Sequence, residues 1–508
     1  MAESGKFALA KNAFANVARG SAVALTAVVL PPFLTRLMSS EAYGAWLLVL
    51  QLSAFVGYLD VGIQTAIGRF VAHADEQGDT AHRDRVVSTS FAALTGACLL
   101  GVVGSVVLAL FLPSVFHQVP PLLLKEVRVA LVLLGTSLAV GLPCSVFNGI
   151  FIGLQRYDVP AAIIGGSRII SAVLLVLLVR QGSSLSQMAA AVAAVNLASY
   201  ALQYLMYRAI APRVQFSARL VSRTAGRELF DYCLSLSIWS FAMLLVSGLD
   251  VSLVGYFEFD KLAYYAVTAT LITFLAGIQN ALFHVMIPSA AVLQARGNSV
   301  RLGQRMITAT RYGVFLLLLT GLPLIFGGRS ILTLWVGPRY AAQGARILQI
   351  LTAANMIRLS AVPYVMTLIG TGQQRLVILT PLLEAVSNLT SSIIAGHLLG
   401  AVGVAIGTLV GGVVGILGNC VHNMPRTSEI DFRVADYVRD GLCRPLACAV
   451  PLTWAVLSWR VMHSPLSASS YPLIGAALIG TVALLWRWGL VGPEREMLRS
   501  WCTLFTEA

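Results

Sequence analysis

The stretch from Lys11 to Ala72 decides the fold: KNAFANVARGSAVALTAVVLPPFLTRLMSSEAYGAWLLVLQLSAFVGYLDVGIQTAIGRFVA. Two apolar segments flank a short polar connector, TRLMSSEA. Each segment has about 20 residues, the length that an α-helix needs to cross the hydrocarbon core of a bilayer. The stretch therefore predicts a hairpin of two membrane-spanning helices. Arg19, Asp60 and the pair Pro31-Pro32 are unusual in such helices, because lipid-facing spans seldom hold charges.

The composition extends this prediction to the whole chain. Of the 508 residues, 57% are hydrophobic and only 11% are charged, whereas soluble proteins have about 25% charged residues. The formal net charge of +13 is of the sign that nucleic-acid binding needs. However, the basic residues lie in short segments between apolar spans, where they set orientation and meet anionic headgroups, so we exclude nucleic acid as a partner. The seven Cys residues show no metal-ligand spacing and predict no cofactor.

The apolar segments predict an all-α polytopic membrane protein with about fourteen transmembrane helices. The predicted spans are 13–34, 42–62, 88–112, 127–152, 161–180, 187–207, 231–255, 262–288, 307–328, 346–369, 376–398, 401–421, 446–463 and 470–490. The twelfth span is rich in glycine (GVAIGTLVGGVVGILG), which is typical of close helix packing rather than of a ligand-binding loop.

The positions of Lys and Arg predict the orientation of the chain. Most of the 35 basic residues fall in alternate connecting segments. Basic segments stay in the cytoplasm, so we expect an even number of spans with both termini cytoplasmic. The longer inner segments, 63–87, 208–230 and 422–445, are expected to lie solvated on anionic lipid.

A weak internal repeat predicts two similar halves. EAYGAW at 41–46 matches LAYYAV at 262–267, and GLQR at 153–156 matches GQQR at 372–375. Each pair occupies the same place in a set of six spans, so both halves would insert with the same orientation. We expect an N-terminal six-helix bundle at 1–225, a C-terminal six-helix bundle at 226–425, and an extra two-helix hairpin with a cytoplasmic tail at 426–508.

The opening stretch resembles the N-terminal signature of the oligosaccharide flippase family within the multidrug/oligosaccharidyl-lipid/polysaccharide (MOP) superfamily. The first span contains asparagine and ends in the motif Pro-x-x-x-Arg-Leu, as in that family. The second span begins with Glu-x-Tyr-Gly and ends with Leu-Asp-x-Gly, which an arginine follows. The matching residues are Pro32, Arg36, Leu37, Glu41, Tyr43, Gly44, Leu59, Asp60, Gly62 and Arg69. The two Gly-x-Gln-Arg turns also resemble that family.

This resemblance implies a fold and a function. The fold would be a V-shaped pair of six-helix bundles around a central cavity. The function would be to move a polyprenyl-pyrophosphate-linked oligosaccharide from the cytoplasmic to the periplasmic leaflet of the bacterial inner membrane. Such proteins serve O-antigen, exopolysaccharide or capsule synthesis and are not enzymes. The implied partners are the lipid-linked oligosaccharide, membrane lipids and a polysaccharide polymerase.

Buried cations are the candidate substrate contacts. A charge at mid-bilayer costs about 2.5 kcal/mol or more, so each needs a partner or an aqueous cavity. Arg358 lies midway along the tenth span, and Asn355 lies one turn before it on the same face. Arg19 shares a face of the first span with Asn16, and Arg168 lies in the fifth span. A guanidinium binds phosphate oxygens bidentately, although structural ion pairs and snorkelling remain alternative roles.

Acidic residues and one histidine are candidates for ion coupling or charge balance. Glu384 heads a polar stripe in the eleventh span, and Asp250 lies near the outer end of the seventh. Either can take H+ or Na+, or balance a cavity arginine. His284 in the eighth span can titrate near neutral pH, although a hydrogen-bonded interior role remains open. Asp60 ends the second span, where a structural cap is the alternative to a site.

Three other functions remain open. A multidrug exporter of the same superfamily would need acids in the first span, where this chain has Arg19. A lipid II flippase would share the span number and a cationic cavity. A glycan polymerase or ligase would need a sizeable outer loop with catalytic acids, and the acidic pair in YFEFDK at 256–261 is small for that purpose.

Overall fold

The computed structural model describes residues 26–461, 479–481 and 483–489. These residues form helices and connecting turns, and no strand occurs among them. Eight helical segments in this part of the chain are long and apolar enough to cross a membrane. The predicted all-α polytopic fold is therefore confirmed. Parts of the first and thirteenth predicted spans, and most of the fourteenth, lie outside the described residues.

Side-chain caps fix where several helices of the first half begin. Ser39 accepts the backbone N–H of Ala42, Asp79 accepts that of His82, and Ser184 forms a reciprocal capping box with Gln187. Such caps satisfy backbone donors that have no partner within the helix. The described helices are α1 (Thr26–Leu37), α2 (Ser40–Ala54), α3 (Ile63–Gln77), α4 (Thr80–Val115), α5 (Pro121–Gly153), α6 (Asp158–Arg180) and α7 (Leu185–Ile210).

In the second half, two predicted spans are broken rather than continuous. The seventh contains a π-helical turn, Leu244–Gly248, and the tenth is interrupted after Leu359. Pro363 in the first turn after the second break has no backbone N–H with which to continue a helix. The helices are α8 (Arg223–Met243), α9 (Asp250–Phe257), α10 (Leu262–Phe283), α11 (Met286–Ala295), α12 (Ser299–Val336), α13 (Pro338–Leu359), α14 (Val362–Thr371), α15 (Leu379–Gly418), α16 (Val434–Asp436) and α17 (Arg444–Val461).

The second span of the opening hairpin ends in a tight turn. After a 3-10 turn at Phe55–Asp60, Val61 and Gly62 adopt left-handed conformations, with φ of 53° and 81°. Glycine adopts this conformation at little cost, because it has no Cβ. The turn separates α2 from α3, which begins at Ile63, where the inner segment 63–87 was predicted to begin.

Helix α15 is a hairpin of two helical arms. The chain reverses at Gly400, where φ is 58° and ψ is −134°. Three glycines four residues apart then lie against the first arm: Gly403 on Ala395, Gly407 on Ser392 and Gly411 on Asn388. A Cβ on Gly411 would lie 2.7 Å from the Cβ of Asn388, closer than real Cβ atoms approach. The prediction that this Gly-rich span packs closely on a neighbouring helix is confirmed.

The repeated stretches at 41–46 and 262–267 lie side by side. Tyr43 and Tyr264 are both buried near the start of their helices, α2 and α10. A Cβ on Gly44 would lie 3.5 Å from the backbone nitrogen of Ala263. The repeated residues therefore pack against each other through their backbones. The division at 225 and 425 stays a prediction.

The described residues fall into two compact units. The first contains the described residues up to Phe274 together with Arg329–Leu348 and Glu384–Gly411. A core around Ile67, Phe147 and Phe151 holds its helices α3, α4, α5 and α7 together. The second unit contains Leu275–Gly328, Gln349–Leu383 and the described residues from Gly412 onward, with a core around Met306, Tyr364 and Tyr437.

Two of the inner segments contact the protein at several points while many of their residues stay exposed, and the expectation that they lie solvated on anionic lipid stays a prediction. In 208–230, the Arg213 carbonyl accepts a hydrogen bond from buried Arg83 at 2.8 Å, and hydroxyls of α4 accept the N–H groups of Ser217 and Ser222. In 422–445, apolar and hydroxyl-bearing side chains are buried, including Ile430 and Tyr437. Buried backbone groups need such partners, and these segments find them within the protein.

Candidate functional site

Asp250 lies at the centre of a buried polar cluster in the first unit. It is the first residue of α9, directly after the π-helical turn, and it is 8% exposed. Its Oδ2 atom accepts hydrogen bonds from the Tyr265 hydroxyl and from Thr408 Oγ1, both at 3.2 Å. These donors come from α10 and from the second arm of α15, so three helical segments meet at one carboxylate.

A second set of oxygens adjoins this carboxylate. The Val404 carbonyl lies 3.3 Å from Thr408 Oγ1 and 3.3 Å from Ser392 Oγ. Ser392 Oγ also lies 3.0 Å from Asn388 Oδ1. The network thus runs from Asp250 through Thr408 and the carbonyl to the first arm of the hairpin. Thr408, Asn388 and Ser392 are all buried, so the oxygens are shielded from solvent.

The chemistry of this oxygen cluster suits a small cation. It combines a carboxylate, hydroxyls, an amide oxygen and a backbone carbonyl, and hard cations prefer oxygen ligands of these kinds. A carboxyl group can also take a proton, which removes the cost of a buried charge. Within the described ranges, no group of three or more His, Cys, Asp or Glu residues is arranged to hold a metal ion.

Sequence reasoning identified Asp250 but missed its partners. Tyr265, Asn388, Ser392 and Thr408 were not among the predicted site residues. Thr408 is 158 residues from Asp250 in sequence. The sequence signal for these partners was the occurrence of glycine at positions 403, 407 and 411. These glycines allow the two arms of α15 to pack close enough for the network to form.

Arg358 and Asn355 lie in the last turns of α13, in the second unit. The expectation that Arg358 lies midway along a continuous span is wrong, because α13 ends at Leu359 and α14 begins at Val362. Arg358 is partly buried, and Asn355 is buried with its amide donating to the Leu351 carbonyl at 3.0 Å. A Cβ on Gly412 would lie 3.7 Å from the Cβ of Arg358, so the second arm of α15 passes close to α13 here.

The other predicted cations differ in their surroundings. Arg168 is exposed on α6, and the two hydrophobic residues that follow it, Ile169 and Ile170, are exposed as well. An exposed arginine within a membrane-spanning helix faces either lipid or an aqueous cavity, and the second is far less costly. Arg19 and Asn16 lie outside the described residues.

Glu384, His284 and Asp60 occupy three different environments. Glu384 is buried in α15, in the first unit. His284 lies in the exposed turn after α10 ends at Phe283, so its predicted interior position is wrong. The Asp60 carboxylate accepts the backbone N–H groups of Gly62 and Gln64 and lies 3.4 Å from Ser145 Oγ. These contacts favour the structural alternative for Asp60, beside the turn between α2 and α3, and its role as a site stays a prediction.

The fold is shared with solved transporters of one superfamily. A structure described as lipid II flippase MurJ in an inward closed conformation matches with a TM-score of 0.69 and 11% identity, covering 93% of this chain and 97% of that one. A multidrug resistance MATE family transporter of the MOP superfamily matches with a TM-score of 0.57 and 15% identity, covering 80% and 99%. The eukaryotic MATE transporter AtDTX14 matches with a TM-score of 0.58 and 15% identity, covering 87% and 98%. The chain therefore has the MOP-type fold.

Sequence comparison gives the family. No protein of curated function matches the chain at a significant level. The family described as "Polysaccharide biosynthesis protein" matches residues 9–294, which is more than half of the chain. This region includes the opening hairpin, helices α1 to α10 and Asp250. The chain belongs to the polysaccharide biosynthesis protein family.

Proposed function

We propose that the protein is a flippase that moves a polyprenyl-pyrophosphate-linked oligosaccharide across the bacterial inner membrane. The cargo would serve O-antigen, exopolysaccharide or capsule synthesis, and the protein would act by alternating access rather than by catalysis. The observation that carries this proposal is the match of residues 9–294 to the polysaccharide biosynthesis family in a chain with a transporter fold. A membrane protein of polysaccharide synthesis with that fold is best suited to moving a glycan intermediate.

Arginines would receive the pyrophosphate of the cargo. Arg358, Arg19 and Arg168 are the candidates, with Asn355 and Asn16 beside them on the substrate pathway. A guanidinium keeps its charge at any physiological pH and offers paired N–H donors to phosphate oxygens. The partial burial of Arg358 and the break in the helix next to it support this role, because broken helices in transporters commonly line a cavity.

The oxygen cluster at Asp250 would couple transport to an ion. A proton or Na+ bound there would neutralise the carboxylate and change its bonds to Tyr265 and Thr408. The cluster joins α9 and α10 to both arms of α15, so a change in its bonds would act on all of these segments. Glu384, His284 and Asp60 remain candidates for charge balance, with the structural alternative for Asp60 described above.

The cellular setting follows from the same proposal. Both termini would lie in the cytoplasm, with the basic inner segments on that side of the membrane. The glycan would then emerge in the periplasm, where a polysaccharide polymerase would use it. The remaining partners would be the lipids of the membrane.

Gene disruption with complementation tests the proposal. The disrupted strain should lose its surface polysaccharide and accumulate the lipid-linked oligosaccharide in the cytoplasmic leaflet, and the wild-type gene should restore export. Arg358→Ala should not restore export, although the variant should insert normally. Arg358→Lys should restore part of it if charge alone matters. Arg346→Ala in the same helix, where Arg346 is exposed, is the matched control and should restore export fully.

Three outcomes would contradict the proposal. Normal surface polysaccharide with Arg358→Ala would remove the substrate role of that residue. Accumulation of the cell-wall precursor lipid II in the disrupted strain would indicate a lipid II flippase. Altered drug sensitivity with intact surface polysaccharide would indicate a multidrug exporter.

A further inference from the structure

A cavity of about 560 Å³ opens beside the start of α12, in the second unit. One wall is a single face of α12, formed by Arg301, Gln304, Arg305, Thr308 and Tyr312 together with Ala309. Their spacing of three and four residues places them in one row along the helix. From Arg301 to Tyr312 this row is about 16 Å long at 1.5 Å per residue.

The opposite wall is mainly apolar. It is formed by the end of α10 and the start of α11, where Leu282 and Val285 are 57% and 71% exposed. Ser289 is the polar exception, and its hydroxyl accepts a hydrogen bond from Arg305 Nη1 at 3.2 Å. The cavity therefore has a cationic end at Arg301 and Arg305 and an apolar end at Leu282 and Tyr312.

Within the described part of the chain, no acidic side chain neutralises the charge of the cationic end. Among the described residues that line the cavity, none is acidic. Neither Arg301 nor Arg305 forms an ion pair within the described part of the chain. Both are exposed, so their guanidinium groups are open to a ligand from outside.

We propose that this cavity binds one anionic glycerophospholipid of the adjoining membrane leaflet, with its phosphate between Arg301 and Arg305 and an acyl chain along the apolar wall. A phosphate diester matches the paired donors of guanidinium groups. Basic residues at the end of a membrane span meet the headgroup layer, and the apolar wall then extends towards the hydrocarbon. Besides the arginines, the cavity is lined by the uncharged polar groups of Ser289, Gln304, Thr308 and Tyr312 and by apolar side chains, and the apolar wall favours a ligand with an acyl chain over a free glycan. The inference does not rest on the transported cargo.

Native mass spectrometry of the full-length protein in mild detergent tests the site. Phosphatidylglycerol and phosphatidylethanolamine with identical acyl chains are the probes. The wild type should retain one phosphatidylglycerol in preference to phosphatidylethanolamine. Arg301→Ala/Arg305→Ala should weaken phosphatidylglycerol binding by about tenfold or more, because each basic residue near the headgroups contributes to the attraction of anionic lipid.

Two further variants separate charge from shape. Arg219→Ala/Arg223→Ala removes the same charge at the same spacing from exposed positions elsewhere, and it should bind phosphatidylglycerol as the wild type does. Thr308→Trp fills the cavity while leaving both arginines, and it should weaken binding as well. Thr308→Trp also keeps the test decisive if the double alanine variant does not fold.

Three results would overturn the inference. Equal retention of both lipids by the wild type would show that the phosphate charge is not recognised. Unchanged phosphatidylglycerol binding in Arg301→Ala/Arg305→Ala would show that the arginines do not hold it. Displacement of phosphatidylglycerol by an equal concentration of undecaprenyl pyrophosphate would assign the cavity to a carrier lipid instead.

Discussion

Asp250 is the residue at which a small chemical change gives the clearest test of ion coupling. Asp250→Asn keeps the size of the side chain and its hydrogen-bonding oxygen, but it removes the group that takes a proton or carries the charge for a cation. Transport in proteoliposomes should lose its dependence on a pH or Na+ gradient and fall by about tenfold, within the usual range of coupling free energies. The measurement is glycolipid movement with and without each gradient.

A matched acid gives the control for that experiment. Asp260 is exposed in the 3-10 turn Phe259–Lys261, and Asp260→Asn removes the same charge from the surface. It should transport as the wild type does. Thr408→Val removes one of the hydroxyl groups that donate to the Asp250 carboxylate. Its transport rate should lie between those of Asp250→Asn and Asp260→Asn. If Asp250→Asn and Asp260→Asn keep the same gradient dependence, Asp250 is not the coupling group.

Arg168 allows a second comparison within a single helix. It is exposed in the middle of α6, whereas Arg180 is exposed in the last turn of the same helix. Arg168→Ala should reduce export of a pyrophosphate-linked cargo by about tenfold or more if Arg168 faces an aqueous cavity, since a charge-assisted bond contributes about 1.5–3 kcal/mol. Arg180→Ala should have little effect. Surface polysaccharide quantified in complemented cells distinguishes the two, and equal export by both variants would argue for a lipid-facing Arg168.

At the scale of elements, the α15 hairpin depends on three glycines. A Cβ at position 407 would meet the backbone of Ser392, because the two arms touch there. We expect Gly407→Ala to destabilise the protein by about 1–3 kcal/mol through overpacking. It should also disturb the Asp250 network, since Ser392 and Thr408 belong to it. Thermal unfolding in detergent measures the first effect, and transport measures the second.

Gly104 supplies the control for the hairpin. It lies within α4, and a Cβ there would meet nothing within 4 Å. Gly104→Ala should therefore be neutral or should stabilise the helix by about 0.5–1 kcal/mol, because glycine loses more conformational freedom on folding than alanine. If Gly407→Ala and Gly104→Ala have equal melting temperatures, the two arms of α15 can move apart without loss of stability.

The π-helical segment Tyr437–Cys443 contains an ion-pair cluster whose strength depends on pH. A hydrogen bond from Arg439, followed by the charges of Arg444 and Arg439, lowers the pKa of Asp440 below its ordinary value. A carboxyl group whose pKa is lowered by folding stabilises the folded state above its unfolded pKa, and this stabilisation is lost as pH falls through the folded pKa. The melting temperature of the wild type should therefore fall more than that of Asp440→Asn between pH 7 and pH 3. Parallel curves would contradict this coupling.

At the scale of the whole molecule, some features were predictable from sequence because they depend on local chemistry. Hydropathy predicted the all-α polytopic fold, and the glycines at 403, 407 and 411 predicted the close packing of one span. The breaks after Met243 and Leu359 were not predictable from hydropathy, because the residues on both sides are equally apolar. The bonds of Asp250 to Tyr265 and Thr408 were not predictable either, since they join residues distant in sequence through the fold.

The proposed orientation of the chain rests on the positions of its basic segments and can be tested directly. Five arginines are close together in sequence between the last turn of α7 and the first turns of α8, and such clusters are retained in the cytoplasm: Arg208, Arg213, Arg219, Arg223 and Arg227. A green fluorescent protein fused after position 219 should therefore fluoresce, whereas alkaline phosphatase fused there should be inactive.

The turn at Gly182, between α6 and α7, should give the opposite result. A fusion there should have active phosphatase and no fluorescence, because one span separates the two positions. Replacing the five arginines with glutamine should weaken this preference without altering the apolar spans. Active phosphatase at position 219 in the unmodified chain would reverse the orientation, and the proposed direction of glycan movement would then have to be reversed with it.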